Sequence, residues 1–314
     1  MSDQRPLLVV NPSAGGGKAK KVFPEIKPVV ERALGPVDVV FTERGGHGIA
    51  LARAAAEEGR SLVVAVGGDG TMNEVASGVL SAGVGARTAV GFIGQGTGGD
   101  FRRTLGIEHR LDRYVDALAK GTTRAVDAGK VRYVDAAGRE AERYFINILS
   151  AGMGGLVDRY VADASRLLGP TAAYYGASLR ALMTIERGRL RAEVTEGGET
   201  RQESISTHMI AICNGRYFGS GMQIAPMAAV DDGKLEVIAI GGNKLALLGL
   251  SRAVYSGEHL GRAGTRHFAC QRISLTLENA ADAAATFLID CDGEPIGGLP
   301  LTVEVLPGAL TLRA

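Results

Sequence analysis

From residue 7 to about 120, short runs rich in β-branched residues alternate with Ala-rich amphipathic ones. "LLVV" precedes 18–33, "VDVVF" precedes 48–58, "LVVAV" precedes 71–81, and "AVGFI" precedes 100–120. Apolar runs alternating with helix-period segments predict βαβ units, and hence a doubly wound parallel sheet. Gly-rich turns follow three of the four strands, as "NPSAGGGK", "GGDGT" and "GQGTGGD". In such a sheet those turns share the edge at the strands' carboxyl ends, where ligands bind.

Beyond about residue 125 the pattern changes to longer alternating runs. "AGKVRYV", "RYFINILSAG", "SISTHMIAICNG", "GKLEVIAI", "RISLTL" and "ATFLIDC" are separated by polar or glycine turns. They predict a mostly antiparallel second domain, interrupted by helical insertions near 153–187 and 243–257. The expected division is an α/β nucleotide-binding domain over 1–125 and a β-rich acceptor domain over 126–314, whose last strands return to the domain junction.

Charge and cysteine content narrow the class. The 35 basic and 34 acidic residues leave a net charge of +1, which argues against electrostatic nucleic-acid binding. Cys213, Cys270 and Cys291 are odd in number and widely spaced, so they read as free thiols in a reducing cytoplasm. The first apolar run ends at Asn11 and Pro12, too early for a secretory signal. The most lipophilic later stretch, 237–254, is broken by Gly241, Gly242, Asn243 and Lys244, so no transmembrane segment is expected and any membrane contact is peripheral.

Three motifs bear on chemistry. "GGGKAKK" fails as a Walker A loop, because Pro12 stands where the first glycine belongs and Ala19 replaces Ser or Thr. "GQGTGG" satisfies GxGxxG but lacks the acidic residue a dinucleotide fold places about 20 residues on. Glycines alone would serve tight strand-to-helix turns, yet three such loops at one edge suit phosphate oxygens and backbone N–H donors. Asp69 and Asp100 sit in those loops, where a bare polyphosphate would repel them by about 4 kcal/mol at ~4 Å and an effective dielectric of roughly 20. A divalent cation reverses that sign, so acid-bearing phosphate loops imply a Mg²⁺–nucleotide complex. Helix capping by either aspartate is the competing explanation.

At these residues the chain resembles the diacylglycerol kinase catalytic-domain family, which includes bacterial lipid kinases and sphingosine kinases. "VVNPSAGGGK", "VAVGGDGTMNEV" and "GTGGDFRRTLGI" resemble its nucleotide loops in order. The likeness continues through "VDAGKV", "NILSAGMGG", "CNGRYFGSGMQIAPMAAVDDGKLEV" and "IDCDGEP" over nearly the whole chain. GGDGT is shared with NAD kinases; the long string after Cys213 is more specific.

The resemblance implies an ATP- and Mg²⁺-dependent kinase acting on a hydroxyl of diacylglycerol or a related lipid, in a cleft between an α/β domain and a β-sandwich-like domain. Asn11, Pro12, Ser13, Ala14, Gly15, Thr42, Gly67, Gly68, Asp69, Gly70, Thr71, Met72, Asn73 and Thr97 match its nucleotide-contacting positions. Asp69 and Asp100 match its acidic loop positions, and Arg103 and Asp127 further polar positions at the cleft. Gly99 stands where members commonly carry Asn, so one side-chain amide is missing. Asp292 corresponds to the acceptor base, with Glu294 assisting. Asp231, Glu236 and the Lys234 carbonyl match a second, structural Mg²⁺ site, with Asp232 linked to the active site through water.

Asp290, Asp292 and Glu294 alternate, so on an extended strand they would face one side, and the competing explanation is a solvated turn. Residues 165–191 combine an apolar helical stripe with Arg180, Arg187, Arg189 and Arg191, suited either to an anionic membrane surface or to intramolecular packing. Met209, Met222 and Met227 read as core fillers, and the five histidines carry no assigned chemistry. The expected setting is cytoplasmic, with peripheral contact to the inner membrane face, and a homodimer is left open. The alternatives are a kinase for a soluble acceptor such as NAD, or a noncatalytic nucleotide- or lipid-binding regulator.

Overall fold

The computed structural model describes residues 5–83, 87–96, 98–120, 122–163, 177, 180–181, 184–243, 253–278 and 287–314. In chain order the first half runs β1 (Leu7–Val10), α1 (Lys18–Leu34), β2 (Asp38–Phe41), α2 (His47–Glu57), β3 (Leu62–Gly67), α3 (Asp69–Ser81), β4 (Ala89–Gly94), α4 (Asp100–Leu105) and α5 (Leu111–Lys120). The four strands are parallel in the order β2-β1-β3-β4. β1, β3 and β4 are buried along their whole length, which explains why they read as unbroken apolar runs.

The remainder is β5 (Thr123–Val134), β6 (Glu140–Phe145), β7 (Ile148–Gly152), α6 (Met153–Asp163), β8 (Gly188–Glu196), β9 (Glu199–Thr207), β10 (Met209–Cys213), β11 (Leu235–Ile240), β12 (Thr265–Cys270), β13 (Arg272–Leu277), β14 (Leu288–Cys291) and β15 (Glu294–Arg313). All pairings among these strands are antiparallel, so the α/β-plus-antiparallel expectation holds. β15 joins the two textures: it runs antiparallel to β14, β13 and β5, then pairs parallel with β4 through Thr311–Ala89 and Leu312–Val90. One core therefore lies around β1, β3 and β4 and takes in Val126, Ile146, Leu310 and Leu312. A second fills the antiparallel part around Leu149, Val194, Ile212, Val237 and Val303.

Several expectations are corrected. The helix expected over 100–120 is two, because Gly106 at φ +72° ends α4 in the left-handed region that L side chains avoid. "RYFINILSAG" is two strands, β6 and β7, separated at Ile146 and Asn147. Arg189 and Arg191 lie on β8, not on a helix, and Arg191 pairs with Glu278. Much of the expected stripe over 165–191, and residues 244–252 of the second insertion, lie outside the described residues. Met227 is 36% exposed, whereas Met209 is buried in a cluster with Ile148, Ile224 and Ile238, against which Met222 packs. All three cysteines are buried and unpaired.

The alternation of Asp290, Asp292 and Glu294 on one strand face is also corrected. Cys291 pairs with Glu294, and the two residues between them have positive φ, +50° at Asp292 and +88° at Gly293. This is the two-residue hairpin turn that an Asp-Gly dipeptide favours. The turn swings Asp292 away from its neighbours and toward the parallel half.

Candidate active site

The three glycine loops touch one another through bare backbone. A Cβ on Gly15 would lie 2.6 Å from the Gln95 carbonyl, one on Gly96 2.6 Å from Gly68 Cα, and one on Gly98 2.8 Å from Asp69 Oδ2. Gly67 is equally crowded, with Thr71 Oγ1 2.3 Å from a Cβ there. Asn11 stitches the first loop to the second, donating from Nδ2 to Thr71 Oγ1 at 3.2 Å and accepting the Ser13 N–H at 3.0 Å. The Thr42 N–H bonds to Val10 O and its side chain is buried beside the first loop.

The structure therefore brings Asn11, Pro12, Ser13, Ala14, Gly15, Gly67, Gly68, Asp69, Gly70 and Thr71 to one end of the sheet, with Thr42 next to it. Thr97 lies outside the described residues. Two further members point elsewhere. Met72 belongs to the core at 2% exposure, because the face of α3 opposite the loops packs on the sheet. Asn73 turns its amide to Asp292.

Asp69 and Asp100 differ in their partners. Asp69 Oδ2 accepts the N–H groups of Gly99 at 2.7 Å and Asp100 at 3.2 Å, while its buried Oδ1 has no partner among the described residues. Asp100 uses both oxygens: Oδ1 accepts from Arg103 Nη1 at 2.6 Å, and Oδ2 from the Ser220 N–H at 2.8 Å. Burial raises the Asp100 carboxyl; the Ser220 N–H pulls it back, the Asp69 charge raises it, and Arg103 lowers it. Arg103 also holds the Gly98 carbonyl at 2.7 Å, so it locks the loop from behind. An unpartnered carboxylate oxygen at Asp69, beside the glycine loops, is the kind of ligand a divalent cation takes. Asp100, with both oxygens engaged, serves the loop and ties it to Ser220.

Asp292 lies in a ring of donors. Oδ1 accepts the N–H groups of Ile148 at 2.7 Å and Asn147 at 3.2 Å; Oδ2 accepts those of Ile146 at 2.9 Å and Asn147 at 3.4 Å, and Asn73 Nδ2 at 2.5 Å. The break between β6 and β7 creates this nest, since it turns three successive N–H groups toward one point. Burial pushes the Asp292 carboxyl up to about 6, against the pull of the Ile146, Ile148 and Asn147 N–H groups and the Asn73 amide. Glu294 is more open and pairs with Arg143 Nη1 at 2.6 Å.

The residues expected to hold a structural metal lie on the turn that leads into β11 and at the start of that strand. Asp231 is exposed, Lys234 donates its N–H to Asp232 Oδ1 at 3.1 Å, and Glu236 is engaged by His267 Nε2 at 2.5 Å. No group of three or more His, Cys, Asp or Glu side chains suited to a metal occurs among the described residues. The turn is held by Asp127, whose buried carboxylate accepts the Gly233 N–H and the Gly308 N–H, each at 2.7 Å. Burial raises the Asp232 carboxyl, the Lys234 N–H opposes this, and the Glu236 and Asp127 charges add to it.

Ser220, Ser77 and the Ile146–Ile148 backbone carried no signal in the sequence pattern. Asn147 interrupting an apolar run was the one available hint. Ser220 sits in a glycine-flanked loop and has φ +68°, which is where a backbone N–H can be aimed at a distant carboxylate.

Residues 5–131 match the diacylglycerol kinase catalytic domain, and residues 147–314 the YegS C-terminal NAD kinase beta sandwich-like domain. A "Probable lipid kinase YegS-like" of Chromohalobacter salexigens is 30% identical over 305 residues, 95% of this chain and 91% of that protein. A "Diacylglycerol kinase" of Staphylococcus carnosus is 27% identical, over 82% and 79% respectively. Two solved structures share the fold at low identity. A diacylglycerol kinase from Bacillus anthracis str. Sterne has a TM-score of 0.70 at 21% identity, covering 100% of this chain and 97% of that one. Yeast NADH kinase complexed with NADH has 0.53 at 9%, covering 98% and 82%.

Proposed function

Because the chain belongs to the diacylglycerol kinase catalytic-domain family, we propose that it is an ATP- and Mg²⁺-dependent lipid kinase phosphorylating a hydroxyl of diacylglycerol or a related lipid. One observation carries this reading: the glycine loops and Asp292 meet at α3, whose first residue is Asp69 and whose Asn73 touches Asp292. Loops suited to phosphate and a carboxylate suited to an alcohol are thus joined by about one turn of α3.

The glycine loops offer backbone N–H groups to phosphate oxygens, and the N-terminus of α3 adds a favourable dipole. Asp69 would hold Mg²⁺, directly or through water, by Oδ1, which has no partner among the described residues. When bound, the cation offsets the charge between Asp69 and the phosphates. Arg103 and Asp100 keep the loop closed on the Ser220 segment.

Asp292 orients the acceptor hydroxyl and takes up its proton. With a value near 6 it is anionic at neutral pH. Four N–H donors cover its two oxygens, and the Asn147 N–H, at 3.2 and 3.4 Å, is the weakest of them. An acceptor O–H therefore competes best at that edge. A loose phosphoryl-transfer transition state asks for an aligned nucleophile more than for a strong base. Among the described residues no helix is long and apolar enough to cross a bilayer.

Incubation of the purified protein with MgATP and a total lipid extract, followed by mass spectrometry, tests the reading. The expected result is a gain of one phosphate on a glycerolipid or sphingoid hydroxyl. Phosphate on added NAD and on no lipid would overturn the lipid assignment, and no transfer to any acceptor would overturn the kinase assignment.

A further inference from the structure

Asp69, Asn73 and Ser77 follow one another at intervals of four along α3 and so share one face. Asn73 Nδ2 donates to Asp292 Oδ2 at 2.5 Å, and Asn73 Oδ1 accepts from Ser77 Oγ at 2.7 Å. Reversing that amide would set Oδ1 against a carboxylate oxygen and leave Asp292 short of a donor. The Asp292 carboxylate, which can only accept, sets this direction; the buried Ser77 hydroxyl then gives its one proton to Asn73 Oδ1 at 2.7 Å, leaving the Tyr144 carbonyl, at 3.4 Å, a weaker contact. Asn73 is thereby turned away from the nucleotide loops that its neighbours build.

We propose that Asn73 is a positioning residue for the acceptor side rather than a phosphate contact, with α3 as a rigid spacer and Ser77 holding the far side of the amide. Asp69 marks the phosphate end of the spacer. About 6 Å further along the axis, at a rise of ~1.5 Å per residue, Asn73 anchors Asp292. The separation between donor phosphate and acceptor carboxylate is then set inside one helix, although the two carboxylates belong to opposite ends of the chain. This deepens the lipid-kinase reading and rests on it. The other charged or titratable groups near the Asp292 turn are Asp290, Cys291 and Glu294 on its own hairpin and Arg143 on β6. Toward Asp292, α3 presents the neutral Asn73.

The test compares wild type with Asn73→Ala, Asn73→Asp and Ser77→Ala in three readouts: ATP affinity by calorimetry, kcat and KM with their pH profiles, and the titration of Asp292 by carboxyl-¹³C NMR. For Asn73→Ala the expected result is ATP affinity within about twofold of wild type and kcat lower by roughly 10- to 100-fold. The Asp292 midpoint should rise by about one unit, because a donor to the anion is gone. Asn73→Asp should raise that midpoint further by like charge, and Ser77→Ala should show the Asn73→Ala pattern more weakly. A tenfold loss of ATP affinity with unchanged kcat would make Asn73 a phosphate contact and overturn the proposal. A lowered melting temperature with unchanged kcat and an unmoved Asp292 midpoint would reduce it to packing and also overturn it. If wild type transfers phosphate to no lipid, the functional reading fails, while the NMR and calorimetric arms still decide where Asn73 acts.

Discussion

Two Asp-Gly turns in this chain look alike in sequence and end up in opposite environments. "CDGE" joins β14 to β15, and "DDGK" leads into β11. In the first, Asp292 is held by N–H groups from Ile146, Asn147 and Ile148 and by the Asn73 amide. In the second, Asp231 is exposed and Asp232 bonds only two residues on, to the Lys234 N–H. The anchoring carboxylate there is Asp127, which reaches the Gly233 N–H from β5. The dipeptide decides that the chain turns; whether the turn's aspartate becomes an anion ringed by N–H donors depends on which remote backbone supplies them.

The difference predicts a graded set of effects. Asp292→Ala strands three backbone N–H groups in a buried site, and urea denaturation should show a loss of about 3 kcal/mol. Asp127→Ala strands two, those of Gly233 and Gly308, for a loss of about 2 kcal/mol on the same measurement.

Third in size is a pH effect with opposite signs for stability and activity. Burial raises Asp292 to about 6, so its contribution to stability is full below the ordinary carboxylate range and is lost as pH rises through about 6. Turnover requires the anion and should climb through the same window, by about tenfold (roughly 1.4 kcal/mol) per pH unit on the acid side. A pH–rate profile flat between 4 and 7 would remove Asp292 from the titration. Asp232→Ala is the smallest case, because one exposed Asx-type bond is worth about 0.5 kcal/mol and no buried donor is orphaned. A loss as large as that of Asp292→Ala would erase the contrast between the turns.

The parallel half was legible because its strands are buried on both faces and its turns are local: "LLVV", "LVVAV" and "AVGFI" correspond to β1, β3 and β4. The glycine loops were legible for the same reason. The split of 100–120 hinged on Gly106 alone, and β8 was hidden in a stretch whose arginines looked helical. The Asp292 nest was illegible on physical grounds. Its donors lie 144 to 146 residues away, and Asn73 lies 219 away, so no window of local periodicity contains both partners. Resemblance pointed to Asp292 and grouped Asn73 with the nucleotide residues, while side-chain direction assigns Asn73 to the acceptor side. Asp69 and Asp100 look equivalent in sequence, yet of the two only Asp69 has an oxygen without a partner among the described residues.

Asp292→Asn tests the central claim most directly, with ATP affinity and single-turnover phosphate transfer to lipid measured on the same preparation. The substitution keeps the shape but sets an NH₂ among N–H donors, so about 1–2 kcal/mol of stability should be lost while the fold persists. Retained ATP binding certifies that persistence. The account predicts ATP affinity within about twofold of wild type and transfer reduced at least about 100-fold. Transfer at the wild-type rate with normal ATP binding would contradict it.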